Sequence, residues 1–385
     1  MKVYLHTFGC RANHYDTEVV REMLGGAGHT IVAAAEDADV AVFNSCAVTS
    51  EAEADLRKAV RRAARDNPRL RSVVTGCAAA LEEDRPAGGR ISELPSVSQV
   101  IAGAGAAEIA AAFDIPARLT TLATRRQSST RALLRVQDGC DEHCTFCATT
   151  MARGANRGRP ADVLVREAQA LAEHHSEIVI TGIHIGSYGV DAGSSLGELL
   201  QRLVREVPSA RFRLSSLEAT EVDERLFELL TGAPGHVAPY LHAPLQSGSD
   251  RVLRRMGRHW YSATEYADAV ERLAAVMPML GLGADVIAGF PGETDDDHAA
   301  TVALVERLPF TYLHIFPFSR RPGTPAERLG QFVSPAVIER RAAELRRIGK
   351  RKRAVYEASR AGGTADVVVI GGPDRAGARE GLTGD

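Results

Sequence analysis

The chain predicts an α/β protein of two parallel-sheet units, the first doubly wound and the second an open barrel. Three observations carry this. Apolar runs of strand length alternate with helical patterns over most of residues 1–330. The alternation breaks at "PARLTTLATRRQSST" (116–130), a polar, Thr/Ser-rich stretch of linker composition. A length of 385 residues with 45% hydrophobic content suffices for two or three domains with their own cores.

In the first unit (1–115), "KVYLHTF" reads as a strand followed by a helix near residues 15–24, and "ADVAVFNS" reads as the next strand. Ser50 and Glu53 then have capping-box spacing, opening a helix with Leu56, Ala59, Val60 and Ala63 on one face. "RSVVTG" and "VSQVIAG" complete the strands. Strands separated by helices imply a parallel, doubly wound sheet.

Beyond the linker, residues 131–330 hold six strand–helix repeats. The strands are "LLRVQDG", "EIVITG", "RFRLSS", "APYLHAPL", "GADVIAGF" and "YLHIFPFS", with helical patterns such as "ADVLVREAQALAEHH" and "SLGELLQRLVREV" between them. Six repeats fall short of the closed eightfold barrel, so a partial (β/α)6 barrel is expected, open at its side. Residues 331–360 carry a basic connecting helix, "ERRAAELRRIGKRKRAVYEASR", which reads equally well as a solvated face. After it "ADVVVIGG" reads as a single strand, and the segment 361–385 is too short to bury a core.

A net charge of −3 demands no polyanionic partner, so any nucleic-acid affinity must come from local patches. The start, "MKVYLHTFGCRAN", lacks a signal-peptide run, and no stretch is apolar enough to span a membrane. Six cysteines are too sparse for a disulfide scaffold, and a cytoplasmic protein with reduced thiols is expected.

The cysteines fall into two triplets. Cys10, Cys46 and Cys77 each follow a strand directly, in "TFGC", "FNSC" and "VTGC". Strand carboxyl ends share one edge of a doubly wound sheet, where ligands bind, so the three converge. Burial in the core explains any one of them but not their common position. In "QDGCDEHCTFC", Cys140, Cys144 and Cys147 follow the first barrel strand. Structural zinc wants four ligands; there is no second CxxC pair, and His143 adjoins Cys144 awkwardly. A thioredoxin-like site would use "CTFC" and leave Cys140 unexplained. A [4Fe–4S] cluster on three thiolates, with one iron left open, fits better.

C-x3-C-x2-C with an aromatic residue before the last Cys resembles the radical S-adenosylmethionine (SAM) superfamily. "RLSSLEA" (213–219), "GADVIAGFPGET" (283–294) and "HIFPFSRRPGT" (314–324) are similar to its third-, fifth- and sixth-strand segments. "TFGCRANHYDTE", "NSCAVTSEAEADLRK", "TGCAAALEED", "ARGANRGRP" and "LHAPLQSGSDRVLRRMGR" narrow the resemblance to the methylthiotransferases, over nearly the whole chain.

The resemblance implies two [4Fe–4S] clusters, one per triplet, and SAM. The cluster on Cys140, Cys144 and Cys147 would cleave SAM to a 5′-deoxyadenosyl radical, which takes a hydrogen from the substrate. The cluster on Cys10, Cys46 and Cys77 would hold or deliver sulfur, and a second SAM would supply the methyl group. Ser215, Ser216, Glu218, Gly289, Glu293 and Phe316 are the implied SAM contacts, and no side chain is assigned a catalytic role.

"GCRAN" resembles the branch acting on threonylcarbamoylated tRNA; the isopentenyl branch has Gln-Met before that Asn, and the ribosomal-protein branch Pro-Lys. The implied activity is methylthio addition at C2 of N6-threonylcarbamoyladenosine 37, a sulfur-transferring transferase reaction. Isopentenyladenosine in tRNA or a ribosomal-protein aspartate is the alternative substrate. The implied partners are a tRNA anticodon arm, a flavodoxin-type electron donor and a sulfur source, with a monomeric enzyme. Two features depart from the family: Met151 stands where proline is usual, and the C-terminal, TRAM-like β-barrel is truncated to its first strand. A non-catalytic iron–sulfur or zinc module binding RNA is the competing class, against which the SAM-pocket stretches argue.

Overall fold

The computed structural model describes residues 1–83, 89–103, 105–116, 126–370 and 377–385. Most of the linker (117–125) and the end of "ADVVVIGG" (371–372) lie outside the described residues.

Five strands form the first sheet: β1 (Lys2–Thr7), β2 (Thr30–Val32), β3 (Val40–Ser45), β4 (Arg71–Gly76) and β5 (Val97–Val100). All pair in parallel, in the order β2-β1-β3-β4-β5. The helices are α1 (Arg11–Gly26), α2 (Ser50–Asp66), α3 (Cys77–Ala80) and α4 (Ala106–Ala112). Val40 and Val42 of the fully buried β3 join Val20, Met23 and Ile109 of α1 and α4 on one face. Ala41 and Phe43 join Leu56, Val60 and Ala63 of α2 on the other, as a doubly wound sheet requires.

Two local expectations shift. The first helix begins at Arg11, not near residue 15, because Cys10 is its N-cap in extended backbone. The N-cap of α2 is Thr49, not Ser50; Thr49 keeps extended backbone and its Oγ1 accepts the Ala52 N–H at 3.1 Å.

The barrel strands are β6 (Ala132–Arg135), β9 (Glu177–Thr181), β10 (Arg211–Leu214), β11 (Tyr240–His242), β12 (Gly281–Ala288) and β13 (Tyr312–Pro317). Between β6 and β9 lie two short strands, β7 (Gln137–Asp138) and β8 (Arg157–Gly158), which pair antiparallel. The helices are α5 (Thr149–Arg153), α6 (Ala161–Ala172), α7 (Leu196–Glu206), α8 (Glu224–Gly232), α9 (Asp250–Arg255), α10 (Ala263–Val276) and α11 (Asp295–Arg307).

The main strands follow one another in chain order; parallel bridges Phe212–Val237 and Ser216–His242 join the two halves. Among the described residues β6 does not pair with β13, so the barrel is open. Phe212, Leu214, Leu241, Leu282, Ala284 and Val286 point outward into the main core with the helices. By strand alternation Arg211, Arg213, Tyr240, His242, Asp285, Tyr312 and His314 line the lumen.

The basic helix is α12 (Pro335–Arg360), and it is packed along one face. Arg341, Ala342, Leu345, Ile348 and Gly349 are buried at helical spacing. Lys352 Nζ donates to the Glu306 and Leu308 carbonyls (2.9 and 2.7 Å) at the end of α11, and Arg351 pairs with Glu306. Part of "RRIGKRKR" is thus consumed in packing.

The C-terminal segment holds two antiparallel strands, not one: β14 (Val367–Ile370) and β15 (Glu380–Thr383). "EGLT" lacks the β-branched run of "VVVI" and becomes a strand only by pairing. The hairpin docks at the N-terminal ends of barrel strands, through the Arg211–Asp366 ion pair and the bond from Arg213 Nη2 to the Thr383 carbonyl (2.9 Å). No described helix is long and apolar enough to cross a membrane.

Glu177 anchors this end of the barrel. Fully buried, it pairs with Arg211 (2.6 Å), Arg213 (2.7 Å) and Arg131 (3.4 Å). Burial alone would raise its carboxyl; the hydrogen bonds and charges of Arg213 and Arg211 outweigh it and hold the group below the usual range. Glu177→Gln leaves Arg131 and Arg213 without a carboxylate and Arg211 with only the exposed Asp366, and is expected to cost about 3–5 kcal/mol, read as a lower urea midpoint. The wild type's margin over the variant should be full above the unfolded pKa of about 4.3 and shrink as pH falls through the lower folded value.

Candidate active site

The loop carrying Cys140, Cys144 and Cys147 runs between β7 and β8, whose pairing closes its base. Gly139 sits at φ +72°, where a Cβ would overlap the Ala155 carbonyl, so the loop can fold back only at glycine. The Cys140 N–H donates to the Gly154 carbonyl (3.0 Å) and the Cys147 N–H to that of Cys144 (3.0 Å). Phe146 stands edge-on to Phe290 (6.3 Å), beyond β12, and packs with Val252 and Met256. The aromatic residue before the last Cys therefore pins the loop to the barrel mouth.

The thiols are half-buried and cations attend them. Arg258 Nη1 donates to the Cys144 sulfur at 3.4 Å, and His184 Nδ1 lies 3.9 Å from that of Cys140. Burial pushes the Cys144 thiol up to about 12 against the pull of Arg258. Burial works against a charged His184, but its contacts with Cys140 and with Glu221 (2.7 Å) outweigh that and raise it to about 10.

Cys10, Cys46 and Cys77 sit after β1, β3 and β4, which are adjacent in the sheet, so they share one edge. Gly9, at φ +89°, passes so close that a Cβ there would sit on the Cys46 sulfur. Burial pushes Cys77 up to about 12, opposed by Arg153, whose Nε donates to its sulfur at 3.3 Å.

Arg153 ties the triplets together. It leaves the cysteine loop at the end of α5 and is buried. Beyond Cys77 it reaches Asn13 Oδ1 (2.5 Å), Asp16 (2.8 Å) and Asp138 (3.3 Å), bridging both units. Arg135–Asp16 and the Arg159–Tyr15–Glu167 contacts extend the same seam. On the far side Arg321, beyond β13, acts electrostatically on Glu53 and Cys46. The N-terminal unit thus meets the free edge of the barrel at β6, and its charges act on the side of β13.

Of the sequence-assigned SAM contacts, Glu218 is linked to the thiols, since Arg258 bridges it to Cys144. Its second oxygen accepts from Trp260 Nε1 at 2.5 Å. Ser215 is buried and Ser216 exposed just past β10; Phe316 is partly exposed in the lumen row of β13. Gly289 and Glu293 form a separate group: Glu293 accepts the Gly289 N–H (2.8 Å) and pairs with Arg341 of α12 (2.7 Å). Met151 lies against Gly323.

Sequence reasoning gave Arg153 and Arg258 no role, although both lie in the quoted segments "ARGANRGRP" and "LHAPLQSGSDRVLRRMGR", and it missed His184. It also passed over the lumen row, although alternation in "RFRL", "YLH" and "YLHIFP" displays it. Inside that row Asp285 meets His242 Nε2 (3.0 Å) and His314 Nδ1 (3.3 Å). Among the described residues this trio alone brings three ligand atoms within 4.8 Å of one another. Both cysteine triplets are wider, whereas a single zinc holds its sulfurs about 3.8 Å apart. Three spread thiols suit an iron–sulfur cube.

Six parallel strands in an open barrel with three thiols at the mouth, joined to a second three-thiol unit, define a radical SAM enzyme with an added domain. The Radical SAM superfamily matches residues 134–305, and the family described as Uncharacterized protein family UPF0004 matches residues 2–94. The chain is 36% identical to the "Threonylcarbamoyladenosine tRNA methylthiotransferase MtaB" of Thermotoga maritima, over 85% of this chain and 77% of that one. It is 36% identical to the "tRNA-2-methylthio-N(6)-dimethylallyladenosine synthase" of Sorangium cellulosum, over 95% and 81%. The radical SAM methyltransferase TsrM of Kitasatospora setae shares the fold, with TM-score 0.62 at 14% identity over 85% of this chain and 77% of that one. The chain belongs to the radical SAM tRNA methylthiotransferase family, whose cofactors are [4Fe–4S] clusters and SAM.

Arg153→Met leaves buried Asp16 with Arg135 as its remaining cation, takes a hydrogen-bond donor from Asn13 and Cys77, and is expected to cost about 1–3 kcal/mol in denaturant unfolding. Adding Asp16→Asn should then cost at least about 1 kcal/mol less than it does in the wild-type chain, because the pair shares one network. Strict additivity of the two losses would show that Arg153 does not couple the units.

Proposed function

We propose that the chain methylthiolates C2 of N6-threonylcarbamoyladenosine 37 in tRNA. The observation that carries this is the likeness over 85% of the chain to a relative named for that nucleoside. "GCRAN" at residues 9–13 supports it. Cys140, Cys144 and Cys147 hold one cluster and Cys10, Cys46 and Cys77 the other, with Ser215, Ser216, Glu218, Gly289, Glu293 and Phe316 about SAM. Bound there, the cluster and SAM supply the radical that activates the substrate C–H bond.

The chain's own residues do the rest. Arg258 and Arg153 place positive charge beside buried sulfurs that burial alone keeps protonated. Arg258 also fixes Glu218 and, with Trp260, shapes the mouth. The Arg153 network holds the second triplet over the open side of the barrel, where a substrate base enters. A flavodoxin-type reductant and a sulfur source complete the reaction.

Two measurements test this. Changing Cys140, Cys144 and Cys147 to Ala should leave about half the wild-type iron after anaerobic reconstitution, and full iron would refute the assignment. Nucleoside mass spectrometry after incubation with tRNA bearing either modification decides the substrate. The methylthio product is expected on the threonylcarbamoyl nucleoside; appearance only on the isopentenyl one would favour the second reading, to which the Sorangium relative points.

A further inference from the structure

The lumen carries more positive than negative charge. Arg131, Arg211 and Arg213 share the single carboxylate of Glu177, and only the exposed Asp366 adds a second, through Arg211. Asp285, the other lumen carboxylate, is already occupied by His242 and His314. Into this setting comes Arg11, the first residue of α1, the helix that packs beside the open edge at β6. Arg11 is half-buried and makes no hydrogen bond or ion pair with any described residue. Its charge nevertheless acts on Tyr312, whose hydroxyl is raised chiefly by burial, and on Arg131. Those two flank the lumen on β13 and just before β6, and α1 packs against β6, so Arg11 stands at the gap.

A half-buried guanidinium without an anion, among arginines that outnumber their carboxylates, is a site for a planar anion. Arg11 also directly follows Cys10, on the edge bearing the second triplet. Resting on the threonylcarbamoyl reading, the substrate's C2 must approach that edge. The N6 substituent projects from the same side of the base, which brings its threonine carboxylate to the neighbourhood of Arg11. We propose that Arg11 is the specificity residue that receives this carboxylate, with Arg131 and Arg213 supplying the surrounding positive potential.

The test uses synthetic anticodon stem-loops carrying threonylcarbamoyladenosine, its threonine-amide analogue, or isopentenyladenosine, with the reconstituted full chain. For wild type the amide should raise KM roughly 10- to 100-fold over the acid, the span of a charge-assisted hydrogen bond. Arg11→Gln should erase the difference between acid and amide, while Arg11→Lys should keep most of it. Iron content is measured for each variant. Should Arg11→Gln lose its cluster, the wild-type comparison and the lysine variant still decide. Equal wild-type KM for acid and amide overturns the subsite and leaves the substrate reading standing. An equal rise for both ligands in Arg11→Gln overturns it too. Turnover of the isopentenyl loop alone overturns the substrate reading and the subsite together.

Discussion

One buried cation governs how the two halves meet. Arg153 is shielded from water, so its charge is tolerable only where its polar atoms find partners. Those partners lie on α1 (Asn13 and Asp16), on β7 (Asp138) and at the start of α3 (Cys77). Since Arg153 ends α5, immediately beyond the cysteine loop, satisfying it locks that loop against the N-terminal sheet edge. Moving that loop away from Cys77 would break a buried charge network.

The open barrel creates a need that the first unit meets. Six strands leave β6 and β13 with unpaired edges, which proteins cover or blunt. The α1 helix covers one through Tyr15, Asp16 and their partners Arg159, Glu167 and Arg135. Arg321, beyond β13, acts electrostatically on Glu53 and Cys46 from the other side. The N-terminal unit stands where further repeats would close the ring, and it brings three cysteines to the opening. At the opposite end the C-terminal hairpin seals the lumen floor, through Arg211 and Arg213, onto Glu177.

The electrostatics of the sulfurs follow from burial. A thiol away from water resists ionisation, yet a metal ligand must be a thiolate. Arg258 beside Cys144 and Arg153 beside Cys77 each lower that cost where burial raises it, and His184 lies beside Cys140. These cations are spent a second time on Glu218, Glu221 and Asp16, so the polar lining of both sites forms continuous networks rather than isolated pairs.

Much of this was legible in the chain, for local reasons. Strand and helix periods are properties of neighbouring residues, and so the two units, the six repeats and the strand-end position of every cysteine could be read directly. The packed character of α12 could not, because "ERRAAELRRIGKRKR" shows its charges more plainly than its stripe of Ala342, Leu345 and Ile348. Nor could β15, which exists only by pairing with β14. The sequence by itself determined the candidates for the chemistry: two sets of three thiols, each after a strand, and the loops about them. Only the tertiary structure decided what surrounds those thiols. Arg153 lies far from Cys77 in the chain, and Arg258 far from Cys144. Such pairings have no period or spacing, for they arise when strand ends converge and buried charges must be met.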